Sequence, residues 1–325
     1  MANLEEIVSR KTENDSQWKA RQQADRENLM ALQDAAVMEI TSSPEAYSHY
    51  LDLQGDNPAY SAGNIALAMV QDGDVTVFGT KEKWKMLGRF VPVSENGNGI
   101  HIFARSTFGK GYTLADAYDV RQTQGRPMKE VKLENDTREM ESAMATLLNY
   151  AACQVVIDKE LHTPAVYDPQ RMEVAINPDY PDGEMFAAIA TAVAHSRLHG
   201  KGYNTQYEYA ECDLDAQSVS YLLCRRFGVK RELPDLAEMP ALYEGWDTQE
   251  RRQALDQIQK MSKQIGASVE KSITPQRSRV PMQHSGRSGF SCLRECKPPR
   301  CTRQGWAAAL HQPPTSRPVC ALDGP

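Results

Sequence analysis

Residues 188–200 read AIATAVAHSRLHG. An alanine-rich apolar run with no proline, and no glycine before Gly200, favours a helix, and on that helix His195 and His199, four apart, share one face. Two imidazoles so placed are the half of a helix-borne zinc site that sequence can display. The residue after the first histidine, however, is Ser196, where metal-dependent hydrolysis needs a glutamate to take a proton from metal-bound water. An unactivated hydroxyl holds its proton too tightly for that near neutral pH, and Arg197 is permanently charged, so no catalytic residue is assigned. The same spacing also describes histidines that hold no metal.

The flanking segments add to this reading. Residues 165–178, AVYDPQRMEVAINP, alternate like two strands bent at Asp168-Pro169. Residues 210–228, AECDLDAQSVSYLLCRRFG, read as a helix that Gly228 can end. That helix carries Glu211, Asp213 and Asp215, and an acid on a following helix is the usual source of a third metal ligand. Around this centre the chain is mostly helical. Amphipathic patterns cover the first 40 residues, a helix from Pro44 capped by Ser43, AGNIALAMV (62–70), KEKWKMLG (81–88) capped by Thr80, a helix opening at Asn135 or Asp136, and a long helix ending near Ile273. Strand signals occur at VTVFGT (75–80), YTLADAYDVRQT (112–123) and CQVVID (153–158), and RFVPVSENGNGIHIFAR (89–105) reads as a hairpin about an Asn-Gly turn. The expected class is α+β.

Charge bounds the partners. The net charge is −6, but residues 277–325 hold eight basic and two acidic side chains, so the rest of the chain is near −12. Whole-body electrostatics would repel nucleic acid, and any contact with it must use a local patch. Residues 79–130 supply one, with nine Lys/Arg against five Asp/Glu and the interleaved aromatics Trp84, Phe90, Phe103, Phe108 and Tyr112. Lys81, Lys85, Arg89 and Arg105 are the candidates for phosphates, and Tyr60 or Phe108 for stacking on a base. Asn64 and Gln122 supply either polar contacts or internal support. Trp84 and Phe103, at helix and strand spacing, also fit a core.

The polar N-terminus lacks a signal-like apolar core and no run approaches membrane-spanning length, so a cytoplasmic address with no membrane contact is expected. From Thr274 onward the chain is dense in Arg, Pro, Ser, Gly and Cys, a composition that reads as a disordered basic tail over 275–325. Cys292, Cys296 and Cys301 lack the paired spacing that structural zinc sites favour. Out-of-frame translation from about residue 285 is a further reading of that stretch.

In combination, the hairpin, the HxxxH helix and the acid-bearing helix, preceded by NPAYSAGNIALAMVQ, VTVFGTKEKWKMLGRFVPVSENGNGIHIF and YTLADAYDVRQTQG, resemble ArdC-type antirestriction proteins in family order over about residues 1–275. The resemblance implies a single-stranded-DNA-binding domain over 1–134 and a zincin-like metallopeptidase domain over 135–274. It also implies a mobile-element protein that accompanies single-stranded DNA and counters a restriction enzyme. Carried over by position, His195 and His199 match the family's two histidine ligands and Asp213 falls where the family has a glutamate as third ligand, with zinc as the implied ion. Ser196 and Gln217 stand where the family has glutamates, so the peptidase half reads as degenerate. Two other readings stay open, a metal-dependent peptidase with an unusual base such as Glu211, and an acidic DNA mimic that occupies restriction enzymes.

Overall fold

A computed structural model describes residues 4–106, 111–200 and 207–274; the expectations for Phe108 and for the 275–325 tail lie outside the described residues. The chain is α+β, as its patterns predict. In order it runs α1 (Leu4–Ile40), α2 (Pro44–Asp56), α3 (Ala62–Gln71), β1 (Phe78–Gly79), α4 (Lys81–Met86), β2 (Arg89–Phe90), β3 (Ile100–Arg105), β4 (Tyr112–Asp119) and β5 (Gln124–Gly125). It continues through α5 (Arg138–Leu148), β6 (Gln154–Ile157), β7 (Ala165–Asp168), β8 (Glu173–Ile176), α6 (Asp182–Gly200), α7 (Tyr209–Arg226), α8 (Met239–Leu242) and α9 (Thr248–Ile273). Residues 1–276 form one compact unit. Among the described residues, no helix is long and apolar enough to cross a membrane.

The helix at the centre is α6. Its buried residues lie on every side, from Phe186 and Ile189 through Val193, Ala194 and Leu198, which is the signature of a helix wrapped by its neighbours. Asp182 and Glu184 in its first turn, and Arg197 and His199 in its last, oppose the partial charges at its ends. Around it pack α7, α5 and a three-stranded sheet in which β8 pairs antiparallel with β7 and parallel with β6. The β7–β8 hairpin predicted at Asp168-Pro169 is present, and Met172 takes up the left-handed turn conformation (φ 51°).

The first 134 residues and residues 135–274 share this core. Helix α2 packs on α7, and α1 and α3 pack on α9. Tyr47 donates to or accepts from Ser218 at 3.1 Å, and Arg225 forks onto Asp52 and Asp56. At the α1–α3 contact a Cβ on Gly63 would sit 2.6 Å from the Gln33 amide, so glycine leaves room for that side chain in its present rotamer.

One expected element is corrected. Residues 89–105 are not a hairpin: β3 pairs antiparallel with β4, while β2 pairs with β5. Between β2 and β3 the chain makes a 3₁₀ turn at Val93–Glu95 and a left-handed Gly97 (φ 87°). The Asn-Gly turn signal is therefore honoured locally, but β3 finds a longer apolar partner in β4 than the two-residue β2 could offer.

Candidate functional site

Two places on the molecule gather functional side chains. The first is the histidine cluster. His195 is fully buried; its Nε2 lies 3.1 Å from Asp213 Oδ1 and its Nδ1 2.8 Å from the Tyr207 hydroxyl. His199 Nδ1 meets the Tyr167 hydroxyl at 2.6 Å. The rings stack, His195 on Tyr209 at 4.0 Å between centroids and His199 on Tyr207 at 4.3 Å. Burial raises both phenols, Tyr167 to about 12, so each stays protonated. The Asp213 carboxylate can only accept, so His195 Nε2 is the donor of that pair. That hydrogen bond holds the Asp213 carboxyl below its ordinary value, and Gln217 Nε2 donates to its other oxygen at 2.5 Å.

A ligating imidazole must offer a lone pair, so a metal at this place would displace the proton that His195 shares with Asp213. Among the described residues no three His, Cys, Asp or Glu side chains come together as a possible metal-ligand set. The structure brings His195 and Asp213 together and ties His199 to Tyr167; the set is chemically able to hold a divalent ion, and no chemical step is assigned to one.

Ser196 is equally committed. It is 1% exposed; its hydroxyl donates to the Val193 carbonyl at 2.8 Å and accepts from the Ala152 amide at 3.1 Å. The position stitches α6 to the loop before β6, away from solvent. Restoring the glutamate by Ser196→Glu is therefore expected to bury an unpaired carboxylate and cost about 3 kcal/mol or more. Thermal unfolding checks the loss and a casein assay with added zinc checks activity. A stable variant with zinc-dependent hydrolysis would refute this account.

The second place is a cleft of about 1150 Å³ between α1, β3 and α9. Six cations line it, Arg26, Arg105, Arg252, Lys260, Lys263 and Lys271, against one carboxylate, Asp256. Asp256 is itself engaged, accepting from the Ala62 amide at 3.2 Å at the start of α3 and lying 3.8 Å from Lys260. Arg105 and Lys271 are exposed and enter no ion pair among the described residues. Tyr60, Phe103, Tyr112 and Tyr150 supply aromatic surface. Tyr60 stacks one face on Phe78 at 4.5 Å, and Lys83 Nζ lies 4.7 Å from its centroid.

Of the residues nominated from sequence, Tyr60, Asn64 and Arg105 line this cleft. Asn64 lies 7% exposed and spends its amide on both backbone groups of Phe103, at 2.9 and 3.0 Å, so it fastens α3 to β3. Lys81, Lys85, Arg89 and Gln122 lie elsewhere. Lys81 donates to Asn96 at 2.6 Å, and Lys85 is exposed on α4. Arg89 is engaged within the fold: its guanidinium donates to Thr123 Oγ1 at 2.8 Å, to the Thr123 carbonyl at 2.9 Å and to the Arg126 carbonyl. The loop after β4 leaves those carbonyls without ladder partners, and a fork of N–H donors satisfies them. Gln122 closes a capping box with Asp119 and also donates to the Asn98 carbonyl at 2.9 Å. Trp84 is fully buried and donates to the Tyr118 carbonyl at 2.9 Å, so the core reading holds for it.

Sequence reasoning passed over the α9 wall. Its signal is present, since Arg252, Asp256, Lys260, Lys263, Ala267 and Lys271 recur every three or four residues on one helical face.

No family model matches the chain, and no curated protein matches it. The solved structures similar to it include two forms of one protein. One is the crystal structure of the antirestriction protein ArdC from the R388 plasmid in its Mn(II)-bound form, 15% identical, with 74% of this chain and 98% of that chain covered and a TM-score of 0.47. The other is the metal-free form of the same protein, also 15% identical, with 74% and 97% covered and a TM-score of 0.42.

Proposed function

We propose that this chain binds single-stranded DNA in the cleft between α1, β3 and α9, as an antirestriction-like protein of a mobile element whose peptidase-like half is not hydrolytic. The observation that carries the reading is the cleft's lining: six cations against one engaged carboxylate, with four aromatic rings among them, in a chain whose body is otherwise acidic. Cations that track a backbone, together with rings on which unpaired bases stack, are what binding of single strands without sequence preference requires. A duplex hides its base faces and gains only the charge term. The division of labour between 1–134 and 135–274 is thus less sharp than the motifs imply, because α9 supplies four of the six cations.

For the second half, the commitments of His195 and Ser196 support a structural reading over the peptidase alternative. His195 turns its two nitrogens to Tyr207 and Asp213, while Glu211 is exposed at the start of α7. Metal analysis of the purified protein is expected to find zinc and manganese well below one equivalent.

The test of binding is fluorescence anisotropy with a labelled dT oligomer and a duplex over a range of salt. If Arg105, Lys260, Lys263 and Lys271 each meet one phosphate, log K against log salt falls with a slope of about −3, and the single strand binds more tightly than the duplex. Absent binding at low salt, or equal affinity for both forms, would remove the proposal. Competition with duplex DNA for a restriction enzyme in the absence of oligonucleotide binding would favour the DNA-mimic reading instead.

A further inference from the structure

Helix α1 buries only its last third. Leu29, Gln33, Ala36, Val37 and Ile40 lie against the body, whereas residues 8–28 are exposed along about 30 Å of helix. On this projecting part Trp18 is 62% exposed. Facing it is Tyr112 at the start of β4, 53% exposed, and between them lies a hollow of about 380 Å³. Trp18, Gln22 and Arg26, four apart, present one face of α1 to this hollow, and Lys19 joins them. The lining contains two cations and no carboxylate. Arg26 and Tyr112 belong to both the hollow and the main cleft, and Arg26 Nη1 donates to the Tyr112 carbonyl at 3.2 Å.

A single exposed tryptophan on a helix needs no explanation by itself. Here it stands opposite a second exposed ring, beside Lys19 and Arg26, at the open end of a basic cleft. We infer that the hollow between Trp18 and Tyr112 is a second base-binding subsite for the same DNA strand, in which an unpaired base stacks on the indole while Lys19 and Arg26 meet the flanking phosphates. This inference rests on the reading of the main cleft and extends its footprint onto α1. The occupant is a single strand, because the hollow's lining offers two cations and no carboxylate to a phosphate backbone and shares Arg26 and Tyr112 with the main cleft.

The test uses the full-length protein and two dT oligomers, one of about 6 nucleotides to fill the main cleft and one of about 20 to reach both subsites. Trp18→Ala is expected to weaken the longer oligomer by about tenfold and leave the shorter unchanged, while Trp18→Phe keeps most of the affinity. The longer oligomer quenches tryptophan emission in the unsubstituted protein and does so less in Trp18→Phe. Because Trp18 is exposed, the helical circular dichroism should not change. Equal affinity of Trp18→Ala and the unsubstituted protein for the longer oligomer overturns the subsite and leaves the main cleft standing. So does an equal loss for both lengths, or a change in sedimentation without a change in DNA affinity. No binding of either length by the unsubstituted protein overturns both readings.

Discussion

Replacing Lys263 and Lys271 together by glutamate lowers the affinity for an unpaired oligonucleotide by at least about a hundredfold at low salt. The estimate follows from charge-assisted hydrogen bonds, worth about 1.5–3 kcal/mol each, so two lost contacts amount to about 3 kcal/mol before any repulsion is added. The slope of log K against log salt should flatten from about −3 to about −1.4, because two fewer phosphates release counterions. The fold should survive. Lys263 gives up one exposed hydrogen bond to the Ala59 carbonyl, and a glutamate at Lys271, in the last turn of α9, opposes the helix dipole by only about 0.5 kcal/mol. Lys159→Glu, at an exposed lysine that does not line the cleft, is the control and should change neither affinity nor slope by much. Equal binding by the doubly reversed protein and this control would place the strand elsewhere.

This prediction concerns residues that the sequence displays but does not connect. The basic stripe of α9 can be read from its spacing alone, since it is local and periodic. The opposite wall, with Tyr60, Phe103 and Arg105, lies roughly 150 to 210 residues earlier in the chain, and only tertiary packing brings the two together. The same distinction separates the elements read correctly from the one read wrongly. Caps such as Ser43 and Thr80 and the β7–β8 hairpin depend on residues within a few positions of one another. The segment 89–105 carries a local turn signal, yet its strands choose partners at 112–119 and 124–125, and a local signal cannot rank those competitors.

The histidine pair shows a further limit. Spacing places His195 and His199 on one helical face, and Asp213 does reach His195 from α7. What spacing cannot supply is the partner that each ring nitrogen finds. Tyr207 and Tyr167, whose hydroxyls occupy one nitrogen of each histidine, stand on segments that carry no metal-site signal. Likewise Ser196, conspicuous as a missing base, is accounted for by the Ala152 amide, whose need for an acceptor is invisible until the loop before β6 is placed beside α6.

Trp84→Ala is expected to destabilise the compact unit by about 3–5 kcal/mol, the cost of truncating a large buried aromatic and leaving its cavity. Trp84 is fully buried beneath β4, its indole N–H donates to the Tyr118 carbonyl, and the Arg89 guanidinium lies 5.9 Å from its ring centroid. Removing it also leaves the Tyr118 carbonyl without that donor, which adds to the cavity term. For a unit of this size each kcal/mol lowers the melting temperature by about 2–4 °C, so a fall of about 10 °C is the expected reading. Trp84→Phe keeps most of the volume and loses the hydrogen bond, and should cost about 1–2 kcal/mol. Stability and binding must be read together. If Trp84 were a stacking platform, Trp84→Phe would leave stability nearly intact and shift oligonucleotide affinity. A core tryptophan does the reverse, lowering the melting temperature while affinity, measured well below it, stays within about twofold, since a phenylalanine in the same place leaves the cleft wall where it was. Trp18 carries the opposite expectation on both counts, because it is exposed where Trp84 is enclosed. Trp84, interleaved with the basic residues of 79–130, and Trp18, on the exposed part of α1, are thus separated by a single pair of measurements on each.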